Sequence, residues 1–122
     1  MAYALNPATG EDLWVNKWNW HPTIELLVRV GIFTAERAEP LHYNCGGDVT
    51  DAEAIRICEF LTAYLQSMPP GQRLLINGSS TSEPDTGEMF RGPDWDKNYS
   101  ATVEWLKVFR DFCEVCGGFS VL

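Results

Sequence analysis

An α+β fold is what this sequence predicts, and three observations predict it. Thr50-Asp-Ala-Glu53 is a helix start signal placed ahead of apolar residues at three and four residue steps. A second helical stripe runs from Val103 to Cys116. Apolar runs such as Leu74-Leu-Ile76 are too brief for helices. Three main helices are expected, over residues 22–30, 51–66 and 100–116, with a small sheet of two or three short strands that includes 41–43 and 74–76. All-α is the alternative. A chain of 122 residues, 45% hydrophobic and with five Trp and six Phe, has enough apolar mass for one core without a disulfide or a metal, so residues 1–122 read as a single domain.

Taken in order, the first twenty residues read as turn-like, with Asn6-Pro7 and Thr9-Gly10 ahead of Trp14, Trp18 and Trp20. The four-residue step from Trp14 to Trp18 fits a helical face, whereas Asn16 and Asn19 count against one. Core packing is favoured over an exposed aromatic anchor for this cluster. Pro22 suits a first helical turn, Ile24, Leu27, Val28 and Val30 supply the apolar positions, and Gly31 ends the helix. Thr34 to Glu39 adds one helical turn. Pro40 then interrupts, Leu41-His-Tyr43 reads as extended, and Asn44-Cys-Gly-Gly-Asp48 turns the chain.

The Thr50 signal opens the next helix because each side chain of a Thr-x-x-Glu box can satisfy the other residue's backbone N–H, with Val49 and Ala54 in staple positions. Ala54, Ile57, Cys58, Leu61, Tyr64 and Leu65 form its apolar face, which points Cys58 inward, and Met68-Pro-Pro-Gly71 stops it. Residues 77–98 are rich in Gly, Ser, Thr, Pro and Asp and read as a long loop carrying five acids and two bases. Ser100 is the expected cap of the last helix, whose two adjacent stripes imply burial on more than one side. Gly117 stands where a left-handed residue closes a helix, Phe119 can fold back on the last turn, and Phe119 to Leu122 can pair as a terminal strand.

Seventeen acids against nine bases give a formal charge of −8, which repels phosphate backbones and anionic lipid and attracts a basic partner. No nucleic acid and no membrane are therefore expected as partners. The N-terminus has no positively charged start followed by an apolar stretch, and no apolar run approaches the roughly 20 residues of a membrane helix, so a cytoplasmic location is expected. Without an export signal, Asn77-Gly-Ser79 and Asn98-Tyr-Ser100 are chance sequons. The four cysteines read as reduced, buried thiols.

Four constellations could carry chemistry. Cys113-Glu-Val-Cys116 has redox spacing, yet it sits at a helix C-terminus, where the partial negative charge opposes thiolate formation. Adding His42 and Cys45 completes a candidate zinc set of His42, Cys45, Cys113 and Cys116, although nothing in the chain brings its two halves together. Asp94-Trp-Asp96-Lys-Asn98 has the first three spacings of a calcium loop, but Tyr99 and Trp105 occupy the places of its turn Gly and its bidentate Glu. His42 and Cys45 could form a hydrolytic dyad, and neither His42 nor His21 shows an orienting acid in the sequence.

Three further segments, Trp18-Asn-Trp20-His-Pro22, Asn44-x-Gly46 and Phe109-x-x-Phe112-x-x-x-Cys116-Gly-Gly-Phe119, resemble a group of small bacterial proteins of uncharacterised role that end a terminal helix on a Gly-Gly-Phe segment. The resemblance implies an immunity-like role beside a toxin and names no residue. The function read from the residues is a non-catalytic, acidic, cytoplasmic binding protein whose partner is another protein with a basic surface. Glu83, Asp85, Glu88 and Asp94 supply charge on this reading and Trp95 an aromatic anchor, with no cofactor. The alternative is a zinc- or thiol-dependent enzyme, or a structural zinc domain, built on His42, Cys45, Cys113 and Cys116.

Overall fold

The chain opens as a β-hairpin. In the computed structural model, which describes residues 2–43, 47–83 and 89–122, β1 (Ala2–Pro7) pairs antiparallel with β2 (Leu13–Asn16) in the register Tyr3 to Val15 and Leu5 to Leu13. The turn-like reading of the N-terminus is thus corrected. Asn6-Pro7 and Gly10 are turn residues, but the turn they make joins two strands: Gly10 takes φ +100°, and Asn6 Nδ2 donates to Asp12 Oδ1 at 2.9 Å across it.

From Asn16 the chain passes directly into α1 (Lys17–Arg29). Asn16 Oδ1 accepts from the Asn19 N–H at 2.9 Å, so the Asn residues that counted against a helix create its start. Helix α1 therefore begins five residues before the expected position, and Pro22 lies inside it at the loss of one backbone bond. Thr34 caps the short α2 (Ala35–Ala38). Of residues 41–43, expected as a strand, Leu41 and His42 instead belong to a 3-10 helix, Glu39–His42, and Tyr43 follows it in a turn, because Pro40 is preset for a first helical turn and Leu41 is drawn into the core.

After β3 (Gly47–Val49), helix α3 (Asp51–Gln66) runs over the expected residues with both bonds of the Thr50–Glu53 capping box in place. The loop expected over 77–98 holds more structure than that. β4 (Arg73–Leu75) pairs with β5 (Ser80–Thr81), and a second 3-10 helix spans Gly92–Asn98. Ser100 does not cap the last helix. It begins β6 (Ser100–Thr102), paired with β4, and Thr102 Oγ1 accepts the Trp105 N–H at 3.1 Å to start α4 (Val103–Val115). Gly117 takes φ +70°, as its place after the helix implies, and β7 (Phe119–Val121) closes the chain as a strand.

The fold is α+β, with seven short strands among the described residues rather than two or three. They form two antiparallel sheets, ordered β2-β1-β7-β3 and β5-β4-β6. The C-terminal strand lies in the middle of the larger sheet, between β1 and β3, so both chain ends are needed to complete it. The cores of both sheets merge around Trp20, whose ring meets Phe109 edge-on at 5.5 Å and Trp105 and Phe119 at 6.4 Å. Phe119 also packs against Phe112 on the last turn of α4. The three N-terminal tryptophans divide: Trp20 is fully buried, Trp18 half-buried and Trp14 exposed. No helix among the described residues is long and apolar enough to cross a membrane.

Candidate functional site: a histidine pair and an aromatic row

The Asn16 cap sets the phase of α1, and that phase places Lys17, His21 and Glu25 at four-residue steps along one face. His42 is brought to the same face by the 3-10 turn beyond Pro40. There the Trp20 indole N–H donates to the Leu41 carbonyl at 2.7 Å and fixes the adjacent residue against the helix. His21 Nδ1 and His42 Nδ1 then lie 2.7 Å apart, with the ring centroids 4.9 Å apart and the two planes inclined by 26°. On the far side of its ring, His42 Nε2 lies 3.2 Å from Glu25 Oε1. The Tyr3 hydroxyl donates to the His42 carbonyl at 2.7 Å and lies 3.4 Å from His21 Nε2.

Electrostatics follow from this enclosure. Burial, the neighbouring His42 and Lys17 together lower the pKa of His21, against a smaller opposing effect of Glu25. Burial raises the Tyr3 phenol, and Tyr99 and Tyr43 add to the effect. Tyr99 extends the cluster outward: its ring meets His21 at 5.7 Å, Trp18 at 4.9 Å and Trp95 at 5.7 Å. Lys17 Nζ sits 4.4 Å above the Trp18 ring. An aromatic row thus leads from the half-buried histidines to Trp95, which is 54% exposed.

Each of the four imidazole nitrogens has a protein neighbour among the described residues: the two Nδ1 atoms face each other, His42 Nε2 faces Glu25 and His21 Nε2 faces the Tyr3 hydroxyl. Two nitrogens 2.7 Å apart are also closer than the roughly 3.4 Å that separates two ligands of one tetrahedral zinc at about 2.1 Å. Among the described residues no three His, Cys, Asp or Glu side chains converge as a group able to hold a metal. Cys45, the partner of His42 in the zinc and dyad readings, lies outside the described residues.

No known family, curated protein or solved structure matches this chain.

The remaining candidates fall in separate places. Cys113 and Cys116 are enclosed in the core, and burial pushes both thiols up, with Cys116 and Cys58 adding to the effect at Cys113. The Asp94, Asp96 and Asn98 spacing is wound into a 3-10 helix, where Asp94 pairs with Lys97 at 3.3 Å and the Asn98 amide bonds both polar backbone groups of Phe90. Glu83 has an exposed side chain, and its carbonyl accepts from Arg73 Nε at 3.0 Å and Nη2 at 2.8 Å. Asp94 and Trp95 are exposed, while Asp85 and Glu88 lie outside the described residues. Sequence reasoning missed Glu25, Tyr3 and Tyr99 as neighbours of the histidines and Trp18 as a neighbour of Tyr99. The His21 and Glu25 spacing was the available signal, and it needed a helix start at Lys17 to be read.

Proposed function

We propose that this chain is a non-catalytic binding protein of the cytoplasm that captures another protein with a basic surface, in the manner of an immunity protein. One observation carries the reading: Trp95 is largely open to solvent yet held edge-on by Tyr99, which is itself braced by Trp18 and His21. An exposed indole that is already ordered gives up little side-chain freedom on binding, which is what an interface anchor needs. Asp94 and Asp96 flank it in sequence, and Glu83, Asp85 and Glu88 precede it within a segment of five acids and two bases. On a chain of formal charge −8, this distribution favours rapid, salt-sensitive encounter with a cationic partner.

The test is direct titration of a purified partner, first isolated on the tagged chain from its native cells, against wild type and variants at low and physiological salt. Trp95→Ala is expected to weaken the complex by at least about tenfold. Reversal of Glu83 and Asp94 to Lys should slow association and flatten its salt dependence. Unchanged binding in both variants would defeat the reading.

A further inference from the structure

The His21 and His42 rings meet nitrogen to nitrogen, and the proton positions that such a contact permits can be worked out from its surroundings. Glu25 on the far side calls for a proton on His42 Nε2. The single Tyr3 hydroxyl proton is committed to the His42 carbonyl. With both rings neutral, His21 must donate from Nδ1 to His42 Nδ1, which leaves His21 Nε2 as a bare lone pair facing a Tyr3 oxygen that has no proton to offer it.

Adding one proton resolves the mismatch. His42 carries protons on both nitrogens and donates to Glu25 and to His21 Nδ1. The proton between the rings now belongs to His42 Nδ1, and His21 carries the added proton on Nε2 and donates it to the Tyr3 oxygen, which still donates to the His42 carbonyl. Every donor then has an acceptor, and the one positive charge lies beside the Glu25 carboxylate. Adding a second proton puts two N–H groups head to head across 2.7 Å, with two like charges in one half-buried site.

We propose that His21 and His42 form a single-proton latch: one proton shared by the pair fastens the 3-10 helix at Glu39–His42 to helix α1, and a second proton forces that contact open. The charged and titratable groups facing the pair are Lys17 and Glu25 from α1, Tyr3 from β1, Tyr99 from the segment before β6, and Tyr43 through Tyr3. Lys17 opposes the second proton. Glu25 can balance one charge and not two. The lowered affinity of His21 for a proton agrees in direction with this arrangement. Opening removes the tether of the Tyr3 hydroxyl to the His42 carbonyl and frees an edge of the Tyr99 stack, so the device is sensitive to acid.

Ring-nitrogen spectra of the isotope-labelled wild-type protein, recorded by long-range proton–nitrogen NMR from about pH 9 to about pH 4, test this. The expected result is two macroscopic steps more than about one pH unit apart, with His21 moving from the Nδ1–H to the Nε2–H form during the first. Amide protection at His42 should be lost only in the second. Tyr3→Phe removes the oxygen that accepts from His21 Nε2–H, so its first step is expected to fall by about half to one pH unit. The proposal is overturned if both rings titrate together near the ordinary imidazole value of about 6.5, or if His21 keeps one tautomer through the first step. The wild-type titration decides the matter even where Tyr3→Phe does not fold.

Discussion

Trp105 donates its indole N–H to the Thr23 hydroxyl at 2.9 Å, and Thr23 passes its own proton to the Asn19 carbonyl at 2.8 Å. Thr23 is fully buried, so this side-chain chain is the polar seam between α1 and α4. Thr23→Val keeps the shape and deletes the acceptor, leaving an indole N–H enclosed without a partner. A loss of about 1–3 kcal/mol is expected in urea unfolding. Trp105→Phe made in the Val background should cost less than it does in wild type, since the orphaned donor leaves with the indole.

The start of α3 depends on charge as well as on its cap. Arg37 donates to both oxygens of Glu53, at 3.2 Å and 2.7 Å, and also to the Asp48 carbonyl. Burial alone would raise the Glu53 carboxyl, but the Thr50 N–H and the Arg37 guanidinium outweigh it and hold the group below its ordinary value. A carboxyl lowered in the fold makes the unfolded state the stronger proton binder. Its contribution is therefore present above the ordinary carboxyl range and is lost as pH falls through the folded value. Stability measured against pH should show a shallower acid limb in Glu53→Gln than in wild type, and Thr50→Ala should cost about 0.5–2 kcal/mol at neutral pH.

The C-terminal cysteine pair lies in the core. Cys113 and Cys116 are 1% and 0% exposed, and burial is the largest cause of their raised thiol pKa values. Iodoacetamide at mildly alkaline pH is expected to leave both unmodified in the native protein and to label both in urea, as mapped by peptide mass spectrometry. Rapid native labelling of either would return the pair to the thiol-chemistry reading.

Gly117 and Gly118 look alike in sequence and should not respond alike to substitution. Gly118 takes φ +101°, and a Cβ there would stand 2.9 Å from the Val49 carbonyl oxygen and 3.0 Å from the Asp51 nitrogen. Gly117, at φ +70°, would meet nothing closer than the Ala8 Cβ at 3.5 Å. Gly117→Ala is expected to cost about 1–2 kcal/mol from conformation alone. Gly118→Ala should cost more, because backbone must move as well. Equal losses in chemical unfolding would show that β7 does not depend on that close approach.

The histidine cluster shows where sequence reading stops. That His21 and Glu25 share a helix face follows from their spacing once the helix start is known, and the Asn16 cap that sets this start is an ordinary signal, obscured here by the turn residues before it. That His42 meets them does not follow from any spacing. It depends on Pro40 turning the chain and on the Trp20 indole reaching the Leu41 carbonyl, a contact between residues that no local pattern relates. The acids of residues 83–96 and Trp95 were visible as composition, whereas the support of Trp95 by Tyr99 was not.

What the sequence by itself determined are the elements whose information is local: α3 with its Thr50–Glu53 cap, the apolar stripes of α4, the left-handed stop at Gly117 and the inward Cys58, Cys113 and Cys116. Helical faces repeat every three to four residues and their caps lie within one turn, so a short window contains both. Only the tertiary structure decided that the N-terminus is a hairpin, that Ser100 begins a strand, that residues 39–42 wind instead of extending, and that two histidines meet. Strands of two to six residues carry too few alternations to be legible alone, and their partners across the sheet, such as Val121 opposite Leu5, come from a distant part of the sequence.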